Sequence, residues 1–258
     1  MSLSRTIAVA GFLIATAAAA TEIPDAQRRS GFTFMTPETQ AMQGDDTANP
    51  GMLWVLDGEA LWKRKEGSAG KACADCHGDA SASMKGVAAH YPAFDKALGR
   101  PVDLEQRINL CRSNQQQATP LTFEGRELLA ITAFVARQSR GSPIEPTTDP
   151  QLEPFIARGR ALYDTRQGQL NLACGNCHVE VWDKRLAGSA ITQGQATGYP
   201  LYRLEWQTLG SLQRRLRACL TGIRAQPYDY GSPELVDLEL YLMTRAKGMP
   251  MESPAVRP

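Results

Sequence analysis

The 258-residue chain carries 28 lysines and arginines against 27 aspartates and glutamates, a formal net charge of +1. Without Met1 to Ala20, which hold Arg5 and no acid, the balance is 27 against 27, and so even a charge balance argues against electrostatic nucleic-acid binding. The length exceeds one ordinary domain, while 22 glycines, 16 prolines and 7% aromatic content describe two modest units with long connections, whose apolar cores a bound cofactor would supplement.

Residues 1–20 read as a signal peptide, with Arg5 ahead of an apolar run from Ile7 to Ala15 and a small-residue stretch whose Ala18-x-Ala20 suits cleavage. The run is shorter than the roughly 20 residues a spanning helix needs, and no later segment is apolar enough, so the expectation is an exported, periplasmic protein with no membrane span in its mature form. Residues 21–57 are expected to form an N-terminal extension packed on the first domain.

Residues 58–77 (GEALWKRKEGSAGKACADCH) and 159–178 (GRALYDTRQGQLNLACGNCH) repeat one pattern at an offset of 101. Gly58/Gly159, Ala60/Ala161, Leu61/Leu162 and Trp62/Tyr163 coincide, which predicts a short amphipathic helix ahead of each Cys-x-x-Cys-His. Leu104, Arg107, Ile108 and Cys111 recur as Leu212, Arg215, Leu216 and Cys219 at an offset of 108. Each unit closes on an apolar-periodic helix, Glu127 to Gly141 and Glu234 to Gly248; the second has Ser232 as cap, Pro233 in the first position and Gly248-x-Pro250 as stop. The domains predicted are 58–143 and 151–258, joined by a proline-rich linker at 144–150.

Cys-x-x-Cys-His suits covalent haem: two thiols on one helical turn add to the vinyl groups while the adjacent imidazole binds iron. Two such motifs predict two covalently bound haem c groups, on Cys73 and Cys76 with His77, and on Cys174 and Cys177 with His178. A zinc site wants Cys pairs about 15–20 residues apart, far closer than these, and a thioredoxin-type pair explains neither the histidines nor the duplication. Only Cys111 and Cys219 remain, one per unit. No methionine fits both units, and His90 has no counterpart in the second and reads as an ordinary loop histidine. A thiolate from Cys111 and from Cys219 as second axial ligand accounts for both spare cysteines. The competing reading is a Cys111–Cys219 disulfide between the domains, which an oxidising compartment permits. Arg107 and Arg215, one turn before each cysteine, could stabilise thiolate, bind an anion or pair with a haem propionate, and Arg214, Arg215 and Arg217 make the second site the more basic.

The chain resembles the SoxA family, catalytic subunits of the SoxAX cytochrome of thiosulfate oxidation. The resemblance runs through residues 30–62, then CADCHG, RINLCR, CGNCH and RRLRACLTGIRAQPYDYGSPE, and covers nearly all of the mature chain. It implies a mainly α fold of two tandem cytochrome c-like domains related by internal duplication, with His/Cys haems. It further implies that the C-terminal haem is the active one, that Cys219 bears a persulfide, and that Arg215 holds the thiosulfate dianion. The activity implied is that of an L-cysteine S-thiosulfotransferase: thiosulfate is joined oxidatively to a cysteine of the carrier SoxYZ, and electrons leave through haem to a cytochrome acceptor. A monohaem SoxX subunit is the implied heterodimer partner. A dihaem thiosulfate dehydrogenase forming tetrathionate, a pure electron shuttle and a scaffold with structural haems are the competing readings.

Overall fold

The computed structural model describes residues 22–146 and 149–258, so the expected signal peptide lies outside the described residues. The first unit contains α1 (Pro37–Gly44), α2 (Met52–Lys63), α3 (Cys73–His77), α4 (Ala80–Ser83), a hairpin of β1 (Ala93–Asp95) and β2 (Arg100–Val102), α5 (Leu104–Cys111) and α6 (Arg126–Arg137). The second contains α7 (Glu153–Asp164), a hairpin of β3 (Arg185–Leu186) and β4 (Ser189–Ala190), β5 (Leu201–Arg203), β6 (Thr208–Gly210), α8 (Leu212–Gly222), α9 (Pro233–Arg245) and β7 (Ala255–Arg257). This is the mainly helical, duplicated architecture expected from the sequence.

The helix starts are written in the side chains. Asp103 Oδ1 accepts from Gln106 N at 2.6 Å while Gln106 Oε1 accepts from Asp103 N at 3.2 Å, a reciprocal cap on α5. Ser211 Oγ accepts from Arg214 N at 3.1 Å at the start of α8, and Ser232 Oγ from Leu235 N at 3.4 Å at the start of α9, with Pro233 in the first position as expected.

Each unit is built on one tight helix crossing, α2 against α6 and α7 against α9. The repeated glycines sit at the points of closest approach. A Cβ on Gly58 would overlap the carbonyl of Ala130, and one on Gly159 would overlap that of Asp237. Only glycine lets the helices meet there, and the aromatic and aliphatic side chains on either side close over the contact: Trp62 against Phe134 in the first unit, Tyr163 against Tyr241 in the second.

The segments following α6 and α9 pair antiparallel. Gly141 N donates to Met251 O and Gly248 N to Ile144 O, each at 2.8 Å; Ile144 N donates to Met249 O at 2.8 Å and Met251 N to Ser142 O at 2.9 Å. Gly141 matches Gly248 and Ile144 matches Met251 in the repeat, so the bonds come in equivalent pairs about the Pro143–Pro250 bridge, the signature of a local two-fold axis. The start of the expected linker is therefore part of this seam, with Ile144 fully buried. The composition of the stretch suggested a solvated connection; one isoleucine and the backbone pairing make it structural.

The extension also differs from expectation. Arg28 Nη1 donates to Arg245 O at 2.7 Å and Lys247 O at 2.9 Å, Arg29 N to Gln193 Oε1 at 2.6 Å, and Asn49 Nδ2 to Pro254 O at 2.9 Å; Ser30 bonds Glu252. Helix α1 lies against β7, which itself runs parallel to β5. Residues 22–51 thus lie mainly on the second unit, with Asp46 paired to Arg137 at 2.8 Å and Arg140 at 2.5 Å of the first, while residues 52–57 open α2 and pack on α6 of the first unit as expected. The carbonyls left unpaired at the end of α9 contribute to the placement on the second unit, since they need donors that Arg28 of the polar extension supplies.

Between the units, a small cavity of about 40 Å³ is lined by Tyr91, Glu105, Thr132, Tyr199, Glu239 and Met243, among others. Burial pushes Glu105 up to about 8, with the neighbouring Asp103 adding to the effect; Glu239 is raised in the same way. Gln213 Nε2 donates to Asp103 Oδ2 at 2.7 Å and to Glu239 Oε2 at 3.2 Å, tying the acids of the two units together.

Gly159→Ala is expected to lower stability by about 1–3 kcal/mol because the helices must separate, whereas Gly44→Ala, where a Cβ meets nothing within 4 Å, should be near neutral. Thermal unfolding of the two holoproteins checks this. Between its unfolded value of 4.5 and about 8, Glu105 holds a proton in the folded state that the unfolded chain has released, so stability falls as pH rises through that window. Glu105→Gln should accordingly raise Tm by about 4 °C or more at pH 8 and by less than about 1 °C at pH 4.5, measured in parallel melts with the parent protein.

Candidate functional site

The two Cys-x-x-Cys-His turns are held alike. In the first, Asp75 Oδ2 accepts from Ala72 N at 2.8 Å; in the second, Asn176 Oδ1 accepts from Ala173 N at 2.9 Å. Each cap comes from the residue just before the second cysteine, so the motif fastens its own first turn. The turn at Cys174 continues into a wider π-helical segment over Asn176–Glu180, a geometry found often at functional sites.

Helices α5 and α8 bring the spare cysteines to these turns. Cys111, the last residue of α5, lies within electrostatic reach of Cys73 and Cys76, and Cys219, in α8, within reach of Cys174 and Cys177. All six cysteines are free. The structure thus gathers two separate sulfur clusters, one per unit, and does not form the Cys111–Cys219 disulfide that the sequence left open.

In the second cluster the imidazole and the thiol confront each other. His178 Nδ1 donates to Thr192 O at 2.7 Å, which leaves its other ring nitrogen facing the hydrogen-bonded Cys219. Gly194, at φ +69°, lies flat on that ring: a Cβ would stand 3.0 Å from His178 Cγ. In the first unit His77 packs its ring against Trp62, 5.6 Å between centroids, and Trp62 Nε1 donates to Gly78 O at 3.0 Å.

The two spare thiols have opposite electrostatics. Burial pushes Cys111 up, with Arg107 only partly offsetting it. Burial acts on Cys219 too, but the hydrogen bond with His178 and the charges of Arg215, His178 and Arg203 together bring it below the ordinary thiol value. Burial pushes Cys174 up to about 12, so of the second cluster Cys219 is the sulfur that the surroundings favour as thiolate. Arg215 sits one turn before Cys219 and, among the described residues, no carboxylate lies within ion-pair distance of it; Arg107 gives its Nη2 to Asp95 Oδ2 at 2.7 Å.

These residues fit haem. Each unit presents two thiols and an imidazole on one turn with a third thiol nearby, and in the second unit Tyr163 OH, Gln195 Oε1 and Arg217 Nη1 are buried with no hydrogen-bond partner, polar groups that a propionate-bearing cofactor or its ordered water would satisfy. Duplicated helical units carrying these motifs define a c-type cytochrome, with covalently bound haem c.

The SoxA/TsdA cytochrome c domain family matches residues 57–144 and 158–251. The chain is 41% identical over 229 residues to the L-cysteine S-thiosulfotransferase subunit SoxA of Rhodovulum sulfidophilum, covering 89% of this chain and 80% of that one. It is 40% identical to the subunit of the same name from Pseudaminobacter salicylatoxidans, over 95% and 86% of the two chains. The crystal structure of SoxXA from P. pantotrophus superposes with a TM-score of 0.86 at 30% identity, covering 90% of this chain and 87% of that one. The chain belongs to the SoxA family.

The six cysteines, His77, His178 and Arg215 singled out from the sequence fall in these two clusters, whereas Thr192, Gly194, Tyr199 and Arg203 were not singled out. Their signal lay in the repeat: at the offset of 108, Gly86, Tyr91 and Asp95 fall on Gly194, Tyr199 and Arg203. His90, read as a loop residue, bonds through Nδ1 to Glu145 O at 2.5 Å.

Cys219→Ala is expected to keep its full covalent haem mass, since the attachment thiols are untouched, while altering the optical and electron paramagnetic resonance spectra of one haem. Spectra identical to those of the parent protein would remove Cys219 from the iron.

Proposed function

We propose that the chain is the dihaem catalytic subunit of a periplasmic enzyme that joins thiosulfate to a cysteine of a carrier protein, the reaction class that the relatives' shared name gives. The observation that carries the reading is the asymmetry of the two spare thiols: Cys219 alone is drawn toward thiolate, in a pocket with His178, Arg215 and Arg203, while Cys111 is not.

In this reading Cys73 and Cys76 attach one haem, with His77 and Cys111 as its iron ligands; Cys174 and Cys177 attach the other, with His178 and Cys219. Haem, when bound, supplies the acceptor for electrons. Overall, thiosulfate dianion and a carrier thiol give the carrier S-thiosulfonate, one proton and two electrons: one sulfur–sulfur bond forms and one S–H bond breaks. Cys219, in this reading modified to a persulfide, is the sulfur beside which thiosulfate and the carrier thiol are brought together. Arg215 holds the dianion beside it and offsets charge as the bond forms. His178, locked by Thr192 and Gly194, keeps the ring fixed. Tyr199, against Arg215 and Cys219, shields that side of the pocket from water.

The partners of this reading are a SoxX-type monohaem cytochrome, as in the matched SoxXA structure, a SoxYZ-type carrier and a cytochrome c acceptor. Export would follow from the signal peptide expected at 1–20. No helix among the described residues is long and apolar enough to cross a membrane.

Arg215→Ala is expected to lower carrier conjugation by about 100-fold with two haems still attached, read by intact mass of carrier and enzyme. An unchanged rate would take Arg215 out of the reaction, and free tetrathionate formed without carrier would favour a thiosulfate dehydrogenase instead.

A further inference from the structure

The last residue of β5 is Arg203; the last residue of β1, at the matching place in the first unit, is Asp95. The correspondence is structural as well as sequential. In the two hairpins Asp95 pairs with Arg100 and Arg203 with Thr208, the same register displaced by 108 positions, the offset that also relates Tyr91 to Tyr199, Arg107 to Arg215 and Cys111 to Cys219. One position has changed from an acid to a base while its neighbours kept their roles.

The change alters what each pocket can hold. In the first unit Asp95 is buried and accepts from Arg107 at 2.7 Å, and Tyr91 bonds the same guanidinium, so the cation beside Cys111 is already neutralised. In the second unit the carboxylate is absent and a second guanidinium stands in its place. Arg203 and Arg215 both act electrostatically on Cys219 and on Tyr199. The Arg203 side chain is only 14% exposed, and its Nε bonds Glu205 Oε2 at 2.9 Å, but Glu205 is 68% exposed, so that pair is solvent-screened and weak. With Arg203, whose guanidinium also stacks on Trp206, and Arg215 both near Tyr199 and Cys219 and no acid at the place Asp95 takes in the first unit, two guanidiniums are left for a small dianion to balance.

We infer that Arg203 is a second substrate-binding guanidinium beside Arg215, and that the exchange of Asp95 for Arg203 between the repeats is what opens the second unit, and not the first, to a small sulfur oxyanion. The inference rests on the proposed thiosulfate reaction for the identity of the anion. Arg203 holds the sulfonate end of the substrate while Arg215 faces the reacting sulfur.

The test uses holoprotein with its partner cytochrome and a carrier thiol. Arg203→Ala should raise KM for thiosulfate by about tenfold or more with a smaller change in kcat, Arg203→Asp should raise it further, and Arg203→Lys should recover part of the loss. Haem content should stay that of the parent, and the thiosulfate-induced change in the optical spectrum of the oxidised protein should need correspondingly more thiosulfate. Asp95→Asn, in the other unit, and Glu205→Gln should leave KM unchanged. An Arg203→Ala protein that conjugates thiosulfate with the parent's KM would overturn the inference. If the parent protein conjugates nothing, the reaction assignment fails on its own, and the spectral titration still decides whether Arg203 binds the anion.

Discussion

The confrontation of one imidazole with one thiol across a narrow slot governs the architecture of the second unit. His178 and Cys219 come from a turn and a helix 41 positions apart in the chain, and neither can be placed without the other elements. The π-helical segment sets the imidazole, Thr192 O and Gly194 fix its rotation, and α8, capped by Ser211, delivers the sulfur. A soft anionic donor opposite a neutral imidazole lowers the potential of a bound haem iron, and a buried thiol reaches that state only where cations stabilise it. The basic face of α8 and the end of β5 are therefore part of the same constraint as the ligand geometry.

The duplication makes this visible because the chain carries its own control. Both units use the same glycine-mediated helix crossing, the same side-chain cap inside the Cys-x-x-Cys-His turn and the same arginine one turn before a cysteine. They differ in several local charges, Asp95 against Arg203 and Gln106 and Asn109 against Arg214 and Arg217 among them, and in the direction each pocket shifts its thiol. The local two-fold about Pro143 and Pro250 brings the units together over a small cavity whose mostly apolar lining includes Glu105 of one unit and Glu239 of the other. Glu105, Asp103 and Glu239 are kept there by Gln213 and by protonation, since burial of several carboxylates favours their neutral forms.

Much of the site was legible because covalent haem chemistry demands adjacent residues: two thiols and an imidazole on one turn must be consecutive in the chain. The closing helices were equally legible, because Ser232, Pro233 and Gly248 are local signals for backbone groups that have no partner within the helix. The extension and the linker were not. Residues 22–51 hold short helices with no apolar face pronounced enough to name a partner, and their placement follows from long-range bonds such as Arg28 to Arg245 O and Asn49 to Pro254 O. Ile144 looked like one apolar residue in a polar run, and only the pairing with Met249 and Gly248 shows why it is buried.

The sequence by itself determined the duplication, the two Cys-x-x-Cys-His motifs, the helix ends and the family, because each is encoded by residue type at fixed short spacing. Tertiary structure decided which cations and acids surround each spare thiol, that the spare cysteines form two separate clusters, and where residues 22–51 lie. Those outcomes depend on charges and hydrogen-bond partners converging from segments 12 to more than 200 positions apart, and on desolvation, which acts through three-dimensional burial and has no signature in local sequence.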